Sequence, residues 1–179
     1  MILVTTALLV LLLVAVGLLI LARGQRRVVA QLDDLAGRTQ PVDMQAFQNL
    51  ISPAETEFLN ESLPPSQFRI VQRERTLAAA EYVRHIAHNA GVLIQLGQAA
   101  RSSPDPQVAA AAQAMVESAA RVRMMSTLVL MKLYAASFVP VLPFSGEGIW
   151  QQYQTLTEAA VLFTRLQRPA FAGRVGAML

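Results

Sequence analysis

The chain contains no cysteine. Disulfides, thiolate zinc sites, iron–sulfur clusters and a cysteine nucleophile are therefore excluded, and cysteine usage gives no sign of redox compartment. Lysine is almost absent too: of fifteen basic residues only Lys132 is lysine, and the remainder are arginines that stay charged at any relevant pH. Charge of either sign is scarce, at 15% against 54% hydrophobic residues, whereas an ordinary soluble domain carries about 25% and roughly 45–50%. Part of that apolar excess is expected to face lipid or a partner. Histidine occurs twice, as His85 and His88, and tryptophan once. No G-x-S-x-G, P-loop or H-E-x-x-H is present, which removes the common hydrolase, nucleotide-binding and zinc-protease templates. The net charge of +3 is small, and Glu74, Glu81, Glu117 and Glu158 recur along the same segments as the arginines. A nucleic-acid partner is not expected from that pattern.

What is present begins with a run of 21 residues, positions 2–22, without a charge. As a helix it extends roughly 30 Å, the thickness of the hydrocarbon core. No basic residue precedes it and no small-x-small cleavage site ends it, so it reads as a transmembrane anchor in contact with lipid and not as a cleaved signal peptide. Arg23, Arg26 and Arg27 flank it on the far side, with Arg38 beyond. The positive-inside rule then predicts a single-pass protein of the cell membrane, N-terminus outside and body cytoplasmic; Asp33 and Asp34 count little in that rule.

The remaining chain, about 150 residues, suits one domain. Residues 23–51 turn polar, and Gly37 and Pro41 read as a stop, so this stretch is expected to be a juxtamembrane connector. A helical bundle domain follows over 52–168, with a tail at 169–179. Ser52, Pro53 and Glu55 form a capping signal for a short helix that ends before Pro64 and Pro65. From residue 66 to 101 no proline interrupts, and Ala79, Val83, Ile86, Ala90, Leu93, Gly97 and Ala100 repeat at alternating spacings of four and three. "SSPDP" breaks the chain, with Ser103 the expected cap and Pro104 the expected first helical residue. The same spacing then returns at Val108, Ala112, Met115, Ala119, Val122, Ser126, Val129, Leu133 and Ala136. Two long seams joined by a short loop predict an antiparallel helical hairpin. A last helix, capped by Ser145 and stopped by Pro169, places Ile149, Tyr153, Leu156, Ala160 and Phe163 on one face beside Trp150. No alternating strand pattern occurs, so the fold class is all-α, with a transmembrane helix, a hairpin and a further packed helix.

Residues 124–144 are apolar enough to raise a second membrane question. Lys132 near their middle and Pro140 and Pro143 near their end favour a core helix with Lys132 reaching water over a segment in contact with the bilayer.

The segment "EYVRHIAHNAG" gathers both histidines. At 100° per residue Glu81, His85 and His88 share an arc of about 60°, which would allow a metal or phosphoryl-accepting site. Glu74, Arg84 and Gln95 lie on the same arc, opposite Val83, Ile86, Ala90 and Leu93, so the face also reads as the wet side of an amphipathic helix. Arginine occupies position 84, where a Glu-x-x-His metal motif starting at Glu81 would need histidine, and the second long helix offers only Glu117. "HNAGVL", residues 88–93, resembles the phospho-accepting helix of sensor histidine kinases, in which His-Asn-x-Gly lies on a dimeric hairpin. The resemblance covers six residues and implies at most phosphoryl acceptance at His88, because no glycine-rich ATP-binding domain follows.

The leading expectation is accordingly a membrane-anchored helical interaction protein (scaffold, adaptor or accessory subunit) with no catalysis and no cofactor of its own. The rival is a phosphotransfer or metal-dependent module at Glu81, His85 and His88. The seam expected to carry association comprises Val83, Ile86, Ala90 and Leu93 on one helix and Met115, Ala119, Val122, Val129 and Leu133 on the other. Tyr82, Leu96, Met125, Leu128 and Leu130 widen it. Self-association, or docking of another membrane-complex subunit, is the expected use of the surplus.

Overall fold

A computed structural model describes residues 35, 37–138, 147–169, 175, 176, 178 and 179. The apolar run at 2–22, the flanking Arg23, Arg26 and Arg27, and the expected cap Ser145 lie outside the described residues. No helix among those described is long and apolar enough to cross a membrane.

Five α-helices make up the described chain: α1 (Met44–Ile51), α2 (Pro53–Ser62), α3 (Pro65–Ala100), α4 (Pro106–Phe138) and α5 (Glu147–Gln167). Each boundary has a local cause. Asp43 starts α1 by accepting the Ala46 N–H at 2.9 Å. Ser52 closes α1 through its own N–H to Asn49 O and opens α2 by accepting the Glu55 N–H at 3.3 Å. Proline then occupies the first position of α2 and again of α3, where a missing N–H costs nothing. Arg75, on α3, ties these pieces together. Its Nη2 donates to Asn49 O and Leu50 O at 3.0 and 3.2 Å, satisfying carbonyls at the C-terminus of α1, and its Nη1 lies 3.8 Å from Glu55.

Two of these observations depart from the sequence reading. The stretch expected to be connector up to residue 51 contains helix α1, whose Phe47 is fully buried against the hairpin. The α3–α4 turn is also built one step later than expected. Asp105, not Ser103, caps α4 by accepting the Gln107 N–H at 2.8 Å, and Pro106, not Pro104, is its first residue. Ser103 serves the turn itself, accepting the Asp105 N–H at 3.3 Å.

The hairpin of α3 and α4 is the principal packing unit, as the spacing predicts. Ala79, Val83, Ile86, Ala90, Leu93 and Gly97 on α3 are buried, as are Val108, Ala112, Met115, Ala119, Val122, Ser126 and Leu133 on α4; the end positions Ala100 and Ala136, and Val129 within the seam, are half-buried. Small residues on this seam bring the backbones close. A Cβ at Gly97 would stand 2.5 Å from Val116 Cγ2 and 3.1 Å from Ala112 O. Helix α5 packs along α4 and touches α3 only marginally, while α1 lies on α3. Thus α4 is covered on one half of its circumference by α3 and α5 together. Ile149, Tyr153, Leu156, Ala160 and Phe163 of α5 are all buried, as their common face requires.

The segment whose membrane contact was in question is helical up to Phe138 and shares in this packing through its described side chains, while residues 139–144, with Pro140 and Pro143, lie outside the described residues. Leu130 and Leu133 are buried and Lys132 is exposed. Leu96 and Leu130, expected to widen an outward stripe, are instead covered by the chain's own helices, Tyr82 and Met125 are half-covered, and Leu128 alone of that group is exposed. Buried hydroxyls of Ser126 and Thr164 bond to the carbonyl four residues back, at 2.8 and 2.7 Å, and so add no unpaired polar group to the core.

Candidate functional site

The histidine-bearing segment lies midway along α3, and its residues part company according to the helical turn. Glu81, Arg84 and His88 are exposed and His85 is half-buried, consistent with a wet face. Glu81 Oε1 accepts from Arg84 Nη2 at 3.1 Å, and the Arg84 guanidinium carbon stands 6.0 Å from the Tyr134 ring centroid on α4. His88 Nε2 lies 2.7 Å from the carbonyl oxygen of Arg38. A carbonyl only accepts, so the proton sits on Nε2 and the imidazole holds down the chain that leads into α1. Glu81 and His88 therefore each have a partner other than one another. Among the described residues no three His, Asp or Glu side chains are grouped so as to hold a metal ion.

Asn89, the neighbour of His88, is the residue that sequence reasoning missed. It is fully buried. Its Oδ1 accepts the Gln40 N–H at 2.8 Å, and its Nδ2 donates to Gln40 O at 2.7 Å and to Tyr153 Oη at 2.9 Å, with Leu179 O at 3.5 Å. The amide thereby copies the paired bonds of a β-ladder with one residue of the connector. The Tyr153 hydroxyl in turn donates to Leu179 O. Four segments meet here: the connector, α3, α5 and the C-terminal residues, of which Val175 and Leu179 are buried. The expected tail is therefore part of the packed body at those positions.

The chemistry of this junction is that of a fastening. Burial pushes the Tyr153 phenol up to about 12, against a smaller opposing effect of the Asn89 bond, so Tyr153 keeps its proton and acts as donor, not base. Arg123 of α4 reaches across to α3, its Nη1 3.2 Å from where a Cβ on Gly91 would be, and desolvation pulls its pKa below the ordinary value. The side chains with chemical vocabulary in this region (Asn89, His88, Tyr153) bind main-chain atoms of distant segments. No nucleophile–base pair is formed among those contacts.

Apolar side chains left outside the core form the second notable feature. Phe58, Ile70, Met124, Leu128, Leu162 and Leu166 are exposed. The seam residues named from the sequence are buried by the chain's own helices, apart from the half-buried Val129, so among the described residues the large apolar side chains open to a partner are those of this second group.

An all-helical body, organised on a hairpin and fastened by one buried polar junction, is what fold and site define together. No protein-family model, no curated protein and no solved structure matches the chain.

Proposed function

We propose that the chain is a single-pass, membrane-anchored helical interaction protein, acting as scaffold, adaptor or accessory subunit of a membrane complex. The observation that carries this reading is the docked connector. Arg38 and Gln40 are bonded through their main chain to His88 and Asn89 at the middle of α3. Whatever precedes residue 35 is thereby attached to the hairpin at a defined point. An anchor formed by residues 2–22 would hold the body close to one membrane face, with at most a dozen intervening residues to span. Such fastening suits a protein that presents surfaces, and the exposed apolar side chains supply them.

The test is purification of the tagged full chain from native membranes, with and without crosslinking. Retention in the membrane pellet after alkaline carbonate washing, together with a stoichiometric companion or a second copy, supports the reading. Release by carbonate refutes the anchor, and a lone chain after crosslinking refutes the interaction role. Orientation is read with Gly37→Cys, because Gly37 is exposed and a Cβ there meets nothing within 4 Å. Labelling by a membrane-impermeant maleimide only after permeabilisation places the body inside. The buried Leu35 would be shielded on either side and cannot report topology.

A further inference from the structure

Helix α4 is covered by α3 and α5 on one half, and the other half has a pattern of its own. Between Ala114 and Ala135 seven of the eight exposed residues recur at helical spacing, namely Ala114, Glu117, Arg121, Met124, Leu128, Lys132 and Ala135, with Ala120 just to one side. These seven fall within an arc of about 80°. Met124 and Leu128 expose 59% and 50% of their surface at its centre. The stripe is opposite Met115, Ala119, Val122 and Leu133, so it cannot turn inward without dismantling the hairpin. Its spacing is symmetric about a point midway between Met124 and Met125: Ala114 mirrors Ala135, Arg121 mirrors Leu128, and Glu117 mirrors the oppositely charged Lys132. Glu117 is the sole carboxylate of α4, and Lys132 is the sole lysine of the chain. Among the described residues Lys132 has no ion-pair partner.

We propose that this face is an isologous dimer interface, in which α4 packs antiparallel against α4 of a second copy. The inference rests on the interaction-protein reading and names its partner. A two-fold axis at the stripe's centre places each Glu117 against Lys132 of the other copy, brings the Met124 side chains together, and lays the aliphatic stem of Arg121 on Leu128. Alanines at both ends allow the helices to approach over roughly 32 Å. A lipid surface fits the same face less well. Helices that lie on membranes combine a continuous large apolar face with basic flanks, whereas here the carboxylate of Glu117 stands on the stripe about two turns from Met124.

The absence of native cysteine makes the register directly measurable. In the full chain, in detergent micelles and in native membranes, Met124→Cys is expected to give a covalent dimer with a short bismaleimide. Ala114→Cys alone is expected to give none, because its two copies stand far apart, while a mixture of Ala114→Cys and Ala135→Cys chains crosslinks. Glu117→Lys and Lys132→Glu are each expected to weaken association about tenfold, because every pair occurs twice, and mixing the two variants restores it. All these positions are exposed, and unchanged helical circular dichroism confirms that folding is intact. Failure of Met124→Cys to crosslink, self-crosslinking of Ala114→Cys, or equal crosslinking at the exposed control Phe58→Cys overturns the interface. If a different polypeptide then co-purifies, only the interface falls. If none does, the interaction reading falls with it.

Discussion

Replacing Asn89 by alanine tests the fastening most directly. The side chain makes three bonds of ordinary length, to the Gln40 N–H, Gln40 O and Tyr153 Oη, from a site with no exposed surface. At about 1 kcal/mol net for each of the three bonds the loss is about 3 kcal/mol. For a body of this size the melting temperature falls by roughly 10 °C. The assay is thermal denaturation of the full chain by circular dichroism, paired with hydrogen exchange at the Gln40 amide, which is expected to lose its protection. Asn89→Asp sharpens the test through pH. A carboxylate can still accept the Gln40 N–H, but its other oxygen would face Gln40 O and Leu179 O, so the folded state favours the protonated acid. Its folded pKa is raised above the unfolded value of about 3.9, and stability falls as pH rises from that value to the folded pKa, by up to about 1.4 kcal/mol per unit. Wild-type melting and an unchanged Gln40 amide in Asn89→Ala, or a pH-independent deficit in Asn89→Asp between pH 4 and 7, would refute the reasoning.

Three further outcomes are expected. Tyr153 holds its proton in the folded state up to about 12 against about 10 when unfolded, so its contribution is complete below pH 10 and is lost between pH 10 and 12; Tyr153→Phe removes that alkaline slope from unfolding curves and costs about 1–2 kcal/mol at neutral pH. Gly97→Ala is destabilising by about 1–3 kcal/mol, because its Cβ meets Val116 Cγ2 and Ala112 O, whereas Gly91→Ala meets only the guanidinium end of the Arg123 side chain and gains up to about 1 kcal/mol of helix propensity; equal melting temperatures would disprove the close approach. Asp105→Ala costs about 1 kcal/mol through loss of the α4 cap, and Ser103→Ala costs less, as chemical denaturation of the two variants will show.

The hairpin was legible in the amino-acid order because one physical constraint repeats along it: a helix that buries one stripe against one neighbour must place apolar or small residues every three to four positions. That pattern runs without a break through Val83–Ile86–Ala90–Leu93 and Met115–Ala119–Val122, and the observed burial follows it position by position. Proline and serine marked the start of α2, and the common face of Ile149, Tyr153, Leu156, Ala160 and Phe163 marked the buried side of α5. Helix α1 escaped notice because eight residues carry too few turns for periodicity to stand out, and Asp43 had no distinctive partner downstream. The cap of α4 was ambiguous within "SSPDP", where two polar–proline pairs offer the same signal and only loop closure between α3 and α4 selects Asp105.

Asn89 is the instructive miss. One helical step separates it from the exposed His88, and nothing nearby in sequence distinguishes the two. Its partners are 49, 64 and 90 residues away, at Gln40, Tyr153 and Leu179. Local order determined which residues form helices and which side of each helix is apolar, because those properties depend on neighbours within one or two turns. The tertiary structure alone decided which polar residue is drawn inside, because an amide can be buried only where distant chain segments arrive together to satisfy its donor and acceptor.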